Sequence, residues 1–141
     1  MKKYIGTKVI MAEPMTMTEA QKVLGRELKP ATVEEDGYLV EYNDGYKSWS
    51  PKSVFEEAYK PSETVLDRLK IEYAELNERR EKLEAFLKNG FSEVIKKVGT
   101  QQAVLLLMQS NYMKDYLEIL YTRIKLMEEN NENNENNEYK Q

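Results

Sequence analysis

The stretch that decides the fold begins Thr64-Val65-Leu66-Asp67-Arg68-Leu69-Lys70-Ile71-Glu72-Tyr73-Ala74-Glu75-Leu76 and continues through Arg80, Leu83 and Leu87. Leu66, Leu69, Tyr73, Leu76, Arg80, Leu83 and Leu87 fall at alternating steps of three and four, which is the spacing of a helical seam with one polar interruption, Arg80. Ser62 or Thr64 can cap this helix, and Thr64 with Asp67 approximates a capping box. Asn89-Gly90 is a stop signal. Ser92–Val98 fits a helical turn or two ending at Gly99, and Thr100 then caps a second long helix. Its seam runs Ala103, Leu106, Ser110, Met113, Leu117, Leu120, Ile124 and Met127. Two such helices with a short connection pack as an antiparallel hairpin.

The second helix has more apolar surface than one seam uses. Val104, Leu105, Leu107, Met108, Tyr112, Tyr116, Ile119 and Tyr121 lie off it. Either they cover residues 1–60 or they form an exposed patch that marks an interface, and self-association into a bundle is the expectation. Arg80 within a seam either sets register or packs its stem and sends its head to solvent.

Residues 1–60 read as a different module. Tyr4–Ala12 has the β-branched content and partial alternation of a strand. Thr16–Gly25 is a short amphipathic helix with a Thr16/Glu19 capping box and Gly25 at its end. Gly37–Tyr42, the Asn43-Asp44-Gly45 turn and Tyr46–Trp49 form a hairpin. Ser50 then caps a short helix with Pro51 at its first position, running through Val54, Phe55 and Ala58. Glu34-Glu35-Asp36 reads as a solvated loop. The expected fold class is α+β: a small three-stranded module over 1–60, an antiparallel helical hairpin over 61–127 that oligomerises, and a tail over 128–141. That tail repeats Glu-Asn-Asn without an apolar residue from Glu128 to Glu138 and is expected to be disordered, beyond some fraying of the helix before it.

Composition narrows the chemistry. The 141 residues include no His and no Cys, which excludes a disulfide framework, a thiol nucleophile, a Cys/His zinc site and an imidazole base. The longest apolar run, Ala103–Met108, is far short of the ~20 residues of a bilayer span. The N-terminus lacks the apolar core of a signal peptide. A soluble, intracellular chain with no membrane partner is expected. The 21 basic and 25 acidic residues form no cationic run suited to duplex nucleic acid, and the net acidity sits in the tail. Glu75, Glu78, Glu81 and Glu84 beside Arg79, Arg80 and Lys82 read as an ion-paired outer helical face. With no phosphate loop, nucleophile elbow or metalloprotease motif, neither a catalytic residue, a metal ligand nor a cofactor is expected.

Binding is a different matter, because the chain holds ten Tyr and one Trp. Aromatic rings beside Arg or Lys hold a nucleobase and its phosphates without reading sequence. Tyr46 and Trp49 on the hairpin, and Gln109, Tyr112, Tyr116 and Arg123 on one face of the second long helix, are the candidate ligand-binding residues. The alternative is core packing for Trp49 and amphipathic lining for the helix residues.

The string Lys2-Lys3-Tyr4-Ile5-Gly6-Thr7-Lys8 with Ala12-Glu13-Pro14-Met15, continued by Gly37–Tyr42, Asp44–Lys52 and Val54–Tyr59, resembles the N-terminal module of many small phage and prophage proteins. In that family the module is joined to varied C-terminal domains, some similar to Thoeris anti-defence proteins that sequester cyclic ADP-ribose-type signals. Glu72-Tyr73, Glu75-Leu76, Lys82–Leu87 and Phe91, then Leu106-Leu107, Gln109, Met113, Tyr116-Leu117, Ile119-Leu120 and Arg123-Ile124, resemble a second, helical family of crAss-like and other phages. That family carries no binding residue across, and the region between Gly90 and Leu106 departs from its pattern. The resemblances imply a non-catalytic counter-defence protein of the bacterial host cytoplasm, an oligomeric sponge for a cyclic-nucleotide or ADP-ribose-type signal. The alternative is a phage structural or host-takeover adaptor that binds a host protein through its helical apolar face.

Overall fold

The computed structural model describes residues 1–30 and 32–138. The fold is α+β, in two compact units, Met1–Lys60 and Pro61–Gln141.

In the first unit, β1 (Met11–Pro14), β2 (Gly37–Glu41) and β3 (Lys47–Pro51) form an antiparallel sheet in the order β1-β2-β3. The β2–β3 register pairs Leu39 with Trp49 across a turn in which Gly45 takes φ 84° and Tyr46 N–H donates to Asp44 Oδ1. Leu39 and Val40 are both buried. Neighbours in a strand point to opposite faces, so the sheet is covered on both sides. Tyr38 stacks on Phe55 at 4.2 Å, laying α2 (Lys52–Ala58) on one face. The first strand lies later than the expected Tyr4–Ala12: β1 starts at Met11, opposite Glu41, and residues before it run past the end of β2 with no ladder to join. Helix α1 (Met17–Leu24) has the expected Thr16/Glu19 capping box and a left-handed Gly25 after it.

The acidic run Glu34-Glu35-Asp36 is not a free solvated loop. Glu34 accepts from Ser53 N–H at 3.0 Å and from the Ser53 hydroxyl, in the first turn of α2. Glu35 accepts from Thr18 N–H at 2.8 Å in the first turn of α1. Backbone carbonyls complete the work, Asp36 O receiving Lys52 N–H and Glu35 O receiving Met17 N–H. One short segment thus satisfies orphan amides of two helices. It also replaces the expected Ser50 cap, because Ser50 and Pro51 belong to β3 and α2 starts at Lys52 without a side-chain cap of its own.

In the second unit, α3 (Val65–Leu87) and α5 (Thr100–Glu138) pack through α4 (Phe91–Val98) as an antiparallel pair. Orientation follows from the contacts: Lys70 pairs with Glu128 at 3.3 Å, Tyr73 meets Tyr121, and Glu84 meets Ser110, so one number falls as the other rises. The capping box at Thr64/Asp67 starts α3. Leu69, Leu76, Met113, Leu117, Leu120 and Ile124 form the buried core, with Leu66, Tyr73, Leu83 and Met127 packed on it. At the far end Val94 of α4 and Ala103 of α5 are fully buried. The Gly99 carbonyl, one residue before the expected Thr100 cap, accepts the first α5 bond, from Ala103 N–H.

Arg80, the polar interruption expected in the seam, and Glu84, expected on the solvated outer face of α3, both reach α5. Arg80 donates through Nε to the Ser110 carbonyl at 3.2 Å and lies 3.8 Å from Glu84, which accepts the hydroxyl of buried Ser110. Seam geometry delivers Arg80 to α5, and Glu84 one turn on follows its partner there. The segment Glu128–Glu138, expected as disordered tail, continues α5 as helix. Propagation adds one hydrogen bond per residue to a nucleus that already exists, so poor helix formers are carried along. Glu128 helps by pairing with Lys70 and Lys125, while 129–138 are exposed. Residues 139–141 of that expected tail lie outside the described residues.

Candidate functional site

The six candidate residues divide between the units. On the β2–β3 hairpin, Trp49 is buried and its indole N–H donates to the Met15 carbonyl at 2.8 Å. Its ring lies against Gly37, where an added Cβ would stand 2.5 Å from it. A ring so enclosed serves the module's core. Tyr46, in contrast, is exposed. Arg26 lies 5.7 Å from its ring centroid and donates to its hydroxyl at 3.1 Å, and Tyr42 stacks beside it at 6.1 Å with Lys8 over the Tyr42 ring. Two cations, one beside the exposed Tyr46 ring and one over the half-buried Tyr42 ring, make a small aromatic patch of the kind that takes up flat or anionic groups. Lys8 and Arg26 were not legible as its members: the segment before β1 brings Lys8 to Tyr42, and the turn after α1 brings Arg26 to Tyr46 from 20 residues away.

On α5, Gln109, Tyr112, Tyr116 and Arg123 follow steps of three, four and seven and so share one side of the helix. The core residues Ser110, Met113, Leu117, Leu120 and Ile124 occupy another. Tyr112 stands well out from the helix, two-thirds exposed. Tyr116 is tied down: its phenol donates to the Glu72 carboxylate of α3, which pushes the phenol above its usual range, with Arg123 close enough to pull the other way. The side chains around them are Leu105, Met108 and Ile119, all exposed. This is a mixed apolar, aromatic and cationic wall, with no acid–base pair in a pocket.

A shallow concavity in the first unit is lined by Glu34, Glu35, Asp36, Lys52, Ser53 and Glu56. Three of its four carboxylates are already engaged: Glu34 and Glu35 are held below their usual range by hydrogen bonds from Ser53 and Thr18, and Glu56 accepts the Tyr38 phenol. Among the described residues no group of His, Cys, Asp or Glu side chains is placed to hold a metal ion, and no helix is long and apolar enough to cross a membrane.

Residues 63–126 match the model of the Sequestin family, a little under half of the chain. No curated protein and no solved structure matches the chain. The matched segment begins at the residue before the α3 cap and takes in α4 and α5 as far as Leu126. Gln109, Tyr112, Tyr116 and Arg123 fall inside it. Tyr46 and Trp49 fall outside.

Proposed function

We propose that this chain is a non-catalytic sequestering protein: an oligomeric sponge of phage counter-defence that takes up a cyclic-nucleotide or ADP-ribose-type immune signal in the bacterial cytoplasm. The observation that carries the reading is the match of residues 63–126 to a family named for sequestration, spanning the helical unit and the α5 wall within it. Sequestration asks only for affinity, and the wall offers what a nucleotide-derived ligand uses. Tyr112 and Tyr116 supply rings for a base, Gln109 an amide for its polar edge, and Arg123 a cation for phosphate. The 1–60 module is a separate folding unit in this reading, with Tyr46 and Arg26 as an accessory patch and Trp49 as its core.

Native mass spectrometry of the purified chain, alone and after incubation with lysate from defence-activated bacteria, tests the proposal. The expected result is a defined oligomer that gains an adduct of a few hundred daltons and releases it intact on denaturation. Arg123→Ala is expected to lose the adduct while keeping its helical circular dichroism. A folded protein that gains no adduct from any such lysate refutes the reading.

A second reading has its own support. The exposed Leu105, Met108 and Ile119 suit a protein surface better than a nucleotide. A host-takeover or structural adaptor built on this face binds a host protein and shows no affinity for nucleotides.

A further inference from the structure

The α5 wall has one polar member that comes from the other helix. Glu72 of α3 is exposed, and one of its carboxylate oxygens accepts the Tyr116 phenol across the hairpin. Tyr73, the neighbour of Glu72, faces Tyr121 with ring centroids 6.3 Å apart. Glu72 therefore stands level with the turn of α5 that carries Arg123, and not with Tyr116, five residues before Tyr121. To reach Glu72 the Tyr116 phenol lies along the helix toward Arg123, whose charge acts on it. A carboxylate, a phenol oxygen and a guanidinium thus gather at one exposed end of the wall. Among the described residues Glu72 and Arg123 enter no ion pair, with each other or with another side chain. A carboxylate accepts at two oxygens, and the phenol occupies one of them.

That combination restricts what can sit there. Arg123 draws a phosphate, but a carboxylate beside it repels the same phosphate, so a ligand that offers negative charge alone gains little. A ligand that carries a hydroxyl close to its phosphate satisfies both groups: its phosphate oxygens accept from the guanidinium, and its hydroxyl donates to Glu72. Ribose holds its hydroxyls at that short remove from phosphate, and a carboxylate that accepts from a ribose hydroxyl is a recurring way for proteins to read that sugar. The base belongs at the other end of the wall, with Tyr112 and Gln109. We propose that Glu72 is the specificity-determining residue of the wall: it accepts a ribose hydroxyl beside the phosphate held by Arg123, and so admits ribonucleotide-type ligands over their deoxy forms. The inference rests on the sequestering reading and names the part of the ligand that the protein selects.

Isothermal titration of the full chain with adenosine diphosphate and with 2′,3′-dideoxyadenosine diphosphate tests it, since the two probes differ only in the ribose hydroxyls. The ribose form is expected to bind about tenfold tighter or more, the worth of a hydrogen bond to a charged group. Glu72→Ala should bring the ratio close to one, and should tighten the dideoxy form, because the carboxylate no longer repels its phosphate. Tyr116→Phe removes the phenol and leaves the carboxylate, so it should change the affinity for both probes together and keep their ratio. Helical circular dichroism checks that both variants fold. Equal affinities in the unaltered chain, or a preference that survives Glu72→Ala, would overturn the proposal. A preference lost equally in Tyr116→Phe would overturn it too, meaning that Glu72 acts only by holding the phenol. The adduct measurement separates this failure from that of the sponge. An adduct taken up from lysate alongside equal affinities, or alongside no binding of either probe, removes the role of Glu72 alone. A chain that gains no adduct and binds neither probe removes the sponge and this role with it.

Discussion

Two adjacent residues of α5 give the most direct test of which way that helix faces. Leu120 is fully buried, packed among Leu69, Leu76, Met113, Leu117 and Ile124. Leu120→Ala removes three carbons from the middle of the α3–α5 seam and leaves a cavity that its neighbours fill only in part. Such truncations cost about 2.7–5 kcal/mol. A core one layer thick can settle inward, which puts the expected loss near the low end, about 3 kcal/mol. For a helical unit of this size that is a fall in melting temperature of roughly 12–24 °C. Ile119→Ala, one residue away, removes a side chain already more than half exposed, and in dilute protein it should change stability by less than about 0.5 kcal/mol. Far-UV circular dichroism reads both, since helix dominates the second unit, and the single Trp49 reports the first unit separately by fluorescence. Raising the protein concentration should open a cost for Ile119→Ala, because pairing then adds to the stability of the parent, while the cost of Leu120→Ala stays the same. Equal losses for the two variants in dilute solution would refute the assignment of faces.

Three further outcomes are expected. Gly37→Ala places a Cβ 2.3 Å from the Ser50 carbonyl and 2.5 Å from the Trp49 ring, so it should cost the first unit about 1–3 kcal/mol, seen as an earlier Trp49 fluorescence transition with the helical signal of the second unit unmoved. Arg80→Ala strips the bond to the Ser110 carbonyl and the packing of the Arg stem and should lower the stability of the helical unit by about 1–2 kcal/mol, measured by urea denaturation. In acid, Glu19, Glu34, Glu35, Asp67 and Glu128 act together: hydrogen bonds hold each below its ordinary value in the folded chain. Their stabilisation is therefore complete above the unfolded carboxylate range, about pH 4–4.5, and is lost as pH falls through the lower folded values. Melting temperature should stay level from about pH 7 to 5.5 and then drop, with a shallower drop in Glu34→Gln/Glu35→Gln. A flat profile down to pH 3 would mean that these caps contribute nothing.

What was legible in the sequence was what closes within a few residues. The capping boxes Thr16/Glu19 and Thr64/Asp67 and the Asn43-Asp44-Gly45 turn each link residues two or three apart, and each stands in the structure as read. The two seams were legible because helical periodicity repeats many times over 23 and 39 residues. Contacts that depend on a distant partner were not. Glu34 and Glu35 cap helices from 19 and 17 residues away, and an acidic triplet in a row looks the same whether it meets water or two helix ends. The place of β1 was set by the length of β2, not by the propensity of Tyr4–Ile10. Residues 128–138 were judged on composition, whereas a helix already running decides its own continuation. At the candidate site the spacing of Gln109, Tyr112, Tyr116 and Arg123 gave a shared face, but nothing in it showed that Glu72 of α3 takes the Tyr116 phenol.

The same distinction bears on α5 itself. A helix that is apolar on one side is explained by one neighbour, and the α3 seam supplies it. A helix with a second apolar side, interrupted by Gln109, Asp115 and Arg123, is explained neither by the hairpin nor by solvent exposure, because open Leu, Met and Ile side chains invite unspecific association. Polar residues at a few fixed positions limit that hazard. They leave the face wet enough to exist alone and allow only those pairings that match amide to carboxylate and keep like charges apart. On this argument the polar residues of the wall have one role before any ligand arrives, which is to restrict what the face associates with, and a second, which is to meet the ligand itself. Asp115→Lys separates the two roles. It leaves Tyr112, Tyr116 and Arg123 in place and reverses one charge of the face. It should therefore weaken the self-association of the oligomeric reading several-fold in sedimentation while the folded helix is retained. If association were driven by apolar area alone, the same substitution would leave it unchanged, and the selecting role of the polar residues would fall with it.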